Sequence, residues 1–127
     1  MPKRKLGISV LEASKQRISW TFDNFEKIYL SFSAGKDSTV MLHLVMEEAI
    51  KRNKKIGVML IDLEGQYKIT IEHAEKCFDM YKDNIEKFWC CLPIHLRNAV
   101  SVYETHWICW DKDKQESWVR EMPKDVI

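Results

Sequence analysis

The chain reads as an α/β domain in which helices flank a parallel sheet, in the order β-α-β-α-β after an opening helix. Three observations point there. Ile56 to Ile61 is a near-continuous apolar run, the mark of a central parallel strand covered on both faces. Runs of this kind alternate with amphipathic stretches of helical period, over 38–51 and 67–81. A small-residue turn, Ser33-Ala34-Gly35, joins the first apolar run directly to a helix start. Strands joined in this order take right-handed crossovers.

Each element has a local reason. Residues 9–25 form the opening helix, because Ser9 with Glu12 three residues on makes a capping box. Leu11, Ser14, Ile18, Phe22 and Phe25 recur at helical spacing, and that stripe is expected to pack on the sheet. Lys27 to Phe32 is the first strand, with Ile28, Leu30 and Phe32 on one face. The helix over 38–51 carries Met41, Leu44, Val45 and Glu48 along one side, with Val40, Ala49 and Ile50 nearby. Asn53 is suited to end it. The strand from Ile56 to Ile61 closes in Asp62-Leu63-Glu64-Gly65, at the end of a parallel strand where open α/β sheets place ligand-contacting groups. The helix over 67–81 has Thr70, Ala74, Cys77, Phe78 and Tyr81 as its buried stripe. Glu86 to Leu92 is the third strand, stopped by Pro93. Beyond it, Ile94 to Tyr103 is expected to form a short helix, 105–110 is aromatic-rich, and the charged stretch 111–117 is expected to be loop.

The chain has 127 residues, 46% apolar and 31% charged, enough for one domain with a real core. Residues 1–127 are taken as one unit: a basic tail over 1–8, the helix and βαβαβ core over 9–92, and an irregular aromatic-rich part over 93–127. Three strands make a small sheet, so the expectation is a truncated chain or one completed by a partner. Formal net charge is +1, which gives no global field for nucleic acid or membrane. No apolar run reaches the roughly 18–20 residues of a membrane span, and the basic start lacks the apolar region of a secretory signal. Cys77, Cys90, Cys91 and Cys109 have no disulfide-framework spacing, which points to a reduced, cytoplasmic protein. His73 with Cys77 and His106 with Cys109 have spacings that can ligate zinc. Neither makes the paired Cys-x-x-Cys pattern, so neither zinc nor an iron–sulfur cluster is expected. His43 reads as a packed or half-exposed side chain.

The candidate site is the stretch from Ser31 to Thr39. A strand, a small-residue turn and a helix mouth bring open N–H groups and the helix dipole to one place, which suits phosphate or sulfate. A Walker loop is excluded, since Leu30 stands where its first Gly belongs and Asp37 where it needs Ser or Thr. A dinucleotide fingerprint is excluded because Gly35 is the lone glycine of the loop.

Ser33-Ala34-Gly35-Lys36-Asp37-Ser38 resembles the PP-loop, Ser-Gly-Gly-x-Asp-Ser, of the ATP pyrophosphatase and phosphoadenosine phosphosulfate (PAPS) reductase superfamily. The sulfur-modification proteins of DNA phosphorothioation share this loop. Ala34 replaces the first Gly. If the position needs positive φ, Ala costs on the order of 1 kcal/mol or more; if it needs only a small side chain, the change is mild. Ile61-Asp62-Leu63-Glu64-Gly65-Gln66-Tyr67 and Trp107-Ile108-Cys109-Trp110 look closest to the PAPS-reductase-like branch of prophage-borne immunoglobulin-binding regulator A proteins. The resemblance runs over nearly all of 9–127 and reaches only the N-terminal part of those longer relatives.

The resemblance implies an adenine-nucleotide α-hydrolase fold, Rossmann-like, with ATP or PAPS as ligand. Ser33, Ala34, Gly35, Lys36, Asp37 and Ser38 would cradle the anion. Ser38 and Thr39 would offer hydroxyls, Lys36 would neutralise charge, and Asp37 would hold Mg²⁺ through water. Lys36 and Asp37 are thus the candidate catalytic residues. Backbone at Ser31–Phe32 and at 60–62 would flank adenine and ribose, and Asp62 would bond a ribose hydroxyl. Glu64 is expected to be an exposed carboxylate. Two departures stand out: Asp62-Leu63-Glu64 replaces the family's Asp-Thr-Gly, and the reductase's C-terminal Glu-Cys-Gly-type cysteine motif is absent, leaving Cys109 as a packed thiol. The readings are therefore a nucleotide-handling enzyme domain, with adenylation or sulfur-transfer chemistry, and a catalytically incomplete regulatory module of prophage origin that works through a protein partner. Self-association through an exposed edge strand and the aromatic C-terminal part is a third.

Overall fold

The computed structural model describes residues 5–127, so the start of the expected basic tail, residues 1–4, lies outside the described residues. Helix α1 spans Val10–Asn24. Ser9 accepts a bond from the Glu12 amide, and the Glu12 carboxylate accepts one from the Ser9 amide, at 3.1 Å each. Strand β1 is Tyr29–Ser31, helix α2 is Lys36–Lys51, strand β2 is Ile56–Ile61, helix α3 is Lys68–Met80 and strand β3 is Ile85–Cys90. Asn53 takes the left-handed conformation just past α2, at φ 52°, as a helix-ending Asn does.

The three strands form one parallel sheet in the order β1-β2-β3. Leu30 stands beside Val58, and Leu60 beside Trp89. One face carries Phe32, Ile56, Val58, Leu60, Ile85 and Trp89, all buried. Phe78 of α3 packs its ring against Phe32 and Trp89, at centroid distances of 5.9 and 5.6 Å. The order 1-2-3 with two right-handed crossovers puts α2 and α3 on this same face. The other face therefore differs from the sequence expectation. Tyr29, Ile61 and Phe88 are exposed there, and Gly57 sits between the Tyr29 and Phe88 side chains. Strand β2 is central but is covered fully on one side only, as its alternating burial shows.

Helix phases also differ. The buried stripe of α2 is Leu42, Val45, Met46 and Ala49, while Met41 is 42% exposed. Within α1 only Ile18 and Phe22 are buried, and Leu11 and Phe25 face out. Helix α1 is fastened to α2: Arg52 donates to Asp23 and Glu48 at 2.7 Å and to Ser19 Oγ at 2.9 Å, and Lys15 pairs with Glu47.

The helix expected over 94–103 is not there. His95–Arg97 is strand β4, paired antiparallel with β5, His106–Ile108. Turn chemistry explains it. The Asn98 side chain accepts from the Val100 amide, and Ser101 Oγ accepts from Tyr103 and Glu104, so local bonds replace helical ones. The charged stretch expected as loop contains a 3₁₀ helix, Lys112–Ser117, started by Asp111. The last residues return to the sheet, where Ile127 exchanges backbone bonds with Trp89 and Cys91 at 2.9 Å.

Candidate functional site

The β1–α2 loop begins where Phe32, buried at the end of β1, donates its amide to Met59. The next three residues turn the chain into α2. Ala34 stands at φ 60°, so the position does require the left-handed region that a Gly would occupy without strain. Gly35 is the N-cap of α2, in an extended conformation and without a side-chain cap bond.

Polar groups of four residues then close on one another. Ser38 Oγ donates to the Gly35 carbonyl at 3.1 Å. Ser33 Oγ lies 3.0 Å from Ser38 Oγ, and the Ser33 amide donates to Ser38 Oγ at 3.3 Å. Thr39 Oγ1 donates to the same Gly35 carbonyl at 2.7 Å. These bonds shape the loop without using the first-turn amides of α2. The contrast with α1 is direct: one helix mouth is closed by a capping box, the other has no side-chain cap. Lys36 and Asp37 stand at the open mouth with side chains 90% and 94% exposed and 3.7 Å apart. An ion pair that exposed holds neither group in place. The arrangement can receive a multiply charged anion on amides, a helix dipole and a lysine. A hydrated divalent ion would find Asp37 beside it.

Thus Ser33, Ala34, Gly35, Lys36, Asp37, Ser38 and Thr39 are brought together, and Ser31 lies exposed on the strand leading in. Asp62 does not join them through its side chain. It is fully buried, at 0% exposure. Its Oδ2 accepts from the Trp89 indole at 2.8 Å, and its Oδ1 accepts from the Glu64 amide and from Arg120. A ribose hydroxyl has no free carboxylate oxygen to meet there. Glu64, expected at the surface, is 4% exposed. Its two oxygens accept from the amides of Trp110, at 2.6 Å, and Val119, at 3.1 Å. Arg120 also donates to the Glu64 carbonyl and lies over the Trp110 ring, 5.0 Å from its centroid. The Trp110 indole donates to the Asp62 carbonyl at 2.7 Å.

Sequence reasoning missed Trp89, Trp110 and Arg120 as partners of these carboxylates. The available signal was two carboxylates two residues apart after an apolar strand, which require donors if buried. Beside them, burial foremost and then the Asp62 charge push the Cys91 thiol up to about 12.

All four cysteines are free and buried. Cys109 donates to the Leu92 carbonyl at 3.4 Å, while His106 turns to Thr105. His73 and Cys77 are 3.6 Å apart, but His73 also meets Thr39 at 2.9 Å. Among the described residues no three His, Cys, Asp or Glu side chains group to hold a metal ion. No helix among them is long and apolar enough to cross a membrane.

Residues 27–104, which run from β1 through the hairpin strand β4, match the family model of the phosphoadenosine phosphosulfate reductase domain. An Escherichia coli K12 protein described as uncharacterized protein YbdN is 42% identical over 126 residues, covering 98% of this chain. The chain spans only 30% of that relative's length.

Proposed function

This chain belongs to the phosphoadenosine phosphosulfate reductase domain family, and we propose that its β1–α2 loop is a PP-loop that binds the anionic end of ATP or PAPS. The observation that carries this reading is the uncapped mouth of α2, reached through a left-handed Ala34 and flanked by a freely exposed Lys36. Amides of the first turn hold the phosphate or sulfate oxygens, and Lys36 offsets their charge. Asp37 holds Mg²⁺ through water when the ligand is ATP. Backbone at Ser31–Phe32 and at 60–62 flanks the nucleoside in an adenine-nucleotide α-hydrolase arrangement, and Asp62 serves that end only as a structural anchor. The protein's part in adenylation or sulfur transfer is electrostatic, through amides and a cation.

A second reading, a regulatory module of the prophage immunoglobulin-binding regulator A type, is favoured by a separate observation. No cysteine of this chain is at the surface to act as a sulfur nucleophile, since Cys77, Cys90, Cys91 and Cys109 are all buried. In that reading the nucleotide is a signal passed to a protein partner in the cytoplasm, where free thiols stay reduced.

Calorimetric titration with ATP–Mg²⁺, PAPS and adenosine 3′,5′-bisphosphate, on this chain and on Lys36→Ala, tests the site. Binding of one ligand that weakens in the variant supports the loop and selects between the pyrophosphatase and sulfonucleotide readings. Absence of binding to all three rejects it.

A further inference from the structure

We propose that His73, on α3, is a positioning residue for the anion loop: through Thr39 it fixes the direction of the Gly35–Lys36 peptide. The inference rests on the loop being an anion site, but its geometry can be tested without any ligand.

Thr39 Oγ1 lies 2.7 Å from the Gly35 carbonyl oxygen. Two oxygens that close need a proton between them, and a threonine hydroxyl has one to give. That proton is therefore committed to Gly35. The 2.9 Å contact between Thr39 Oγ1 and His73 Nε2 must then run the other way, with the ring donating. The structure thus assigns the proton to Nε2 of His73. A ring bearing its neutral proton on Nδ1 instead would draw the threonine hydrogen to itself and leave two lone pairs facing each other at Gly35. Cys77 Sγ, 3.6 Å from the same nitrogen, is a weak second acceptor, and burial raises its thiol so that it stays neutral.

Why this matters for an anion follows from peptide planarity. The Gly35 carbonyl and the Lys36 N–H belong to one trans peptide and point in opposite directions. The carbonyl is held inward by Thr39 Oγ1, by the Thr39 amide at 3.0 Å and by Ser38 Oγ at 3.1 Å. Holding it inward turns the Lys36 N–H out to the helix mouth. A rotated peptide would present a carbonyl lone pair to the anion instead. His73 is the member of this chain of bonds that comes from another element, so it ties the loop to the helix following β2.

The test uses His73→Ala, His73→Gln, His73→Asn and Thr39→Val. Gln places an N–H near the position of Nε2, and Asn places one near Nδ1. In the ligand-free protein, imidazole nitrogen NMR is expected to show Nε2 of His73 protonated, and the Lys36 amide is expected to shift in His73→Ala and return in His73→Gln. With ATP–Mg²⁺, affinity is expected to fall about fivefold to tenfold in His73→Ala, His73→Asn and Thr39→Val, the loss of one hydrogen bond. The double variant His73→Ala/Thr39→Val is expected to lose no more than either single one, and His73→Gln to bind within about twofold of the parent. An unprotonated Nε2, an undisturbed Lys36 amide in His73→Ala, or additive losses in the double variant each overturn the assignment. If the parent protein binds no nucleotide, the functional reading fails on its own, and the two ligand-free measurements still decide the role of His73.

Discussion

Two neighbouring strands of the sheet end side by side and end differently. Strand β1 runs into a loop whose helix mouth is uncapped and whose two charged side chains stand in solvent. Strand β2 runs into Asp62 and Glu64, two carboxylates taken out of water and given a donor at every oxygen. Position alone does not separate them, since both lie at the carboxyl ends of parallel strands, where ligands bind in open α/β sheets. What separates them is who satisfies the polar groups. At β2 every donor but the Glu64 amide comes from far along the chain: Trp89, Trp110, Val119 and Arg120. At β1 the loop is held by its own two serines and threonine, with His73 of α3 as the one partner from outside, and its first-turn amides are left for something else. In the proposed reading the open donor set at β1 is the site and the closed one at β2 is an anchor.

The comparison breaks first if Asp62 is not an anchor. Asp62→Ala leaves Arg120 without its buried partner and the Trp89 indole without an acceptor. The expected loss is about 3–5 kcal/mol of unfolding free energy, read from the shift in urea midpoint. An Asp62→Ala protein of unchanged stability that loses nucleotide binding would instead place Asp62 in the site.

Lys36→Ala should do the reverse. Its side chain is in solvent, so stability should stay within about 0.5 kcal/mol. Affinity for ATP–Mg²⁺ or PAPS should fall about tenfold or more by calorimetry, as expected for a charge-assisted contact.

Ala34→Gly sharpens the account of the loop. Relief at φ 60° works against the greater chain entropy of glycine and the lost methyl burial. A net gain of roughly 0.5 kcal/mol in thermal or urea unfolding is expected. A clear loss of stability would mean that the alanine methyl contributes more packing than its strain costs.

The effect that is smallest at neutral pH concerns Cys91. Its thiol titrates near 12 in the folded chain, above the usual value of about 8.5 for a free cysteine. The folded state therefore holds its proton longer than the unfolded state. That part of the stability is intact below about pH 8.5 and is lost progressively as pH rises toward 12. Replacing Cys91 by Ala should flatten the alkaline slope of stability against pH; an unchanged slope would mean that the thiol is not shielded.

These regions also differ in how far the sequence reveals them. The loop is local. Small residues at 33–35, an apolar run before them and a helical period after them are adjacent in sequence, so the alternation of strands and helices and the grouping of Ser33 to Thr39 follow from reading along the chain. Even the strain at Ala34 follows once the backbone angle is known. The anchor is not local. Glu64 meets Trp110, 46 residues on, and Val119, 55 residues on, and nothing in the neighbourhood of Glu64 names those partners. The stretch 94–103 departs from a helix for a local reason instead: Asn98 and Ser101 bond nearby amides and turn the chain, so that His95–Arg97 pairs with the strand that begins at His106. The uncovered sheet face came from topology. A continuous apolar strand such as 56–61 suggests cover on both sides, but two crossovers in the order 1-2-3 supply helices to only one.

The most direct test of the contrast is an amide and indole NMR titration of the whole chain with ATP–Mg²⁺ and PAPS. The account predicts shifts in the amides of Ser33 to Thr39, with the Glu64 amide and the Trp89 and Trp110 indoles unmoved. Movement of those indoles and of Glu64 while the loop stays silent would contradict it, because the closed carboxylate cluster would then be the site and the open helix mouth would not.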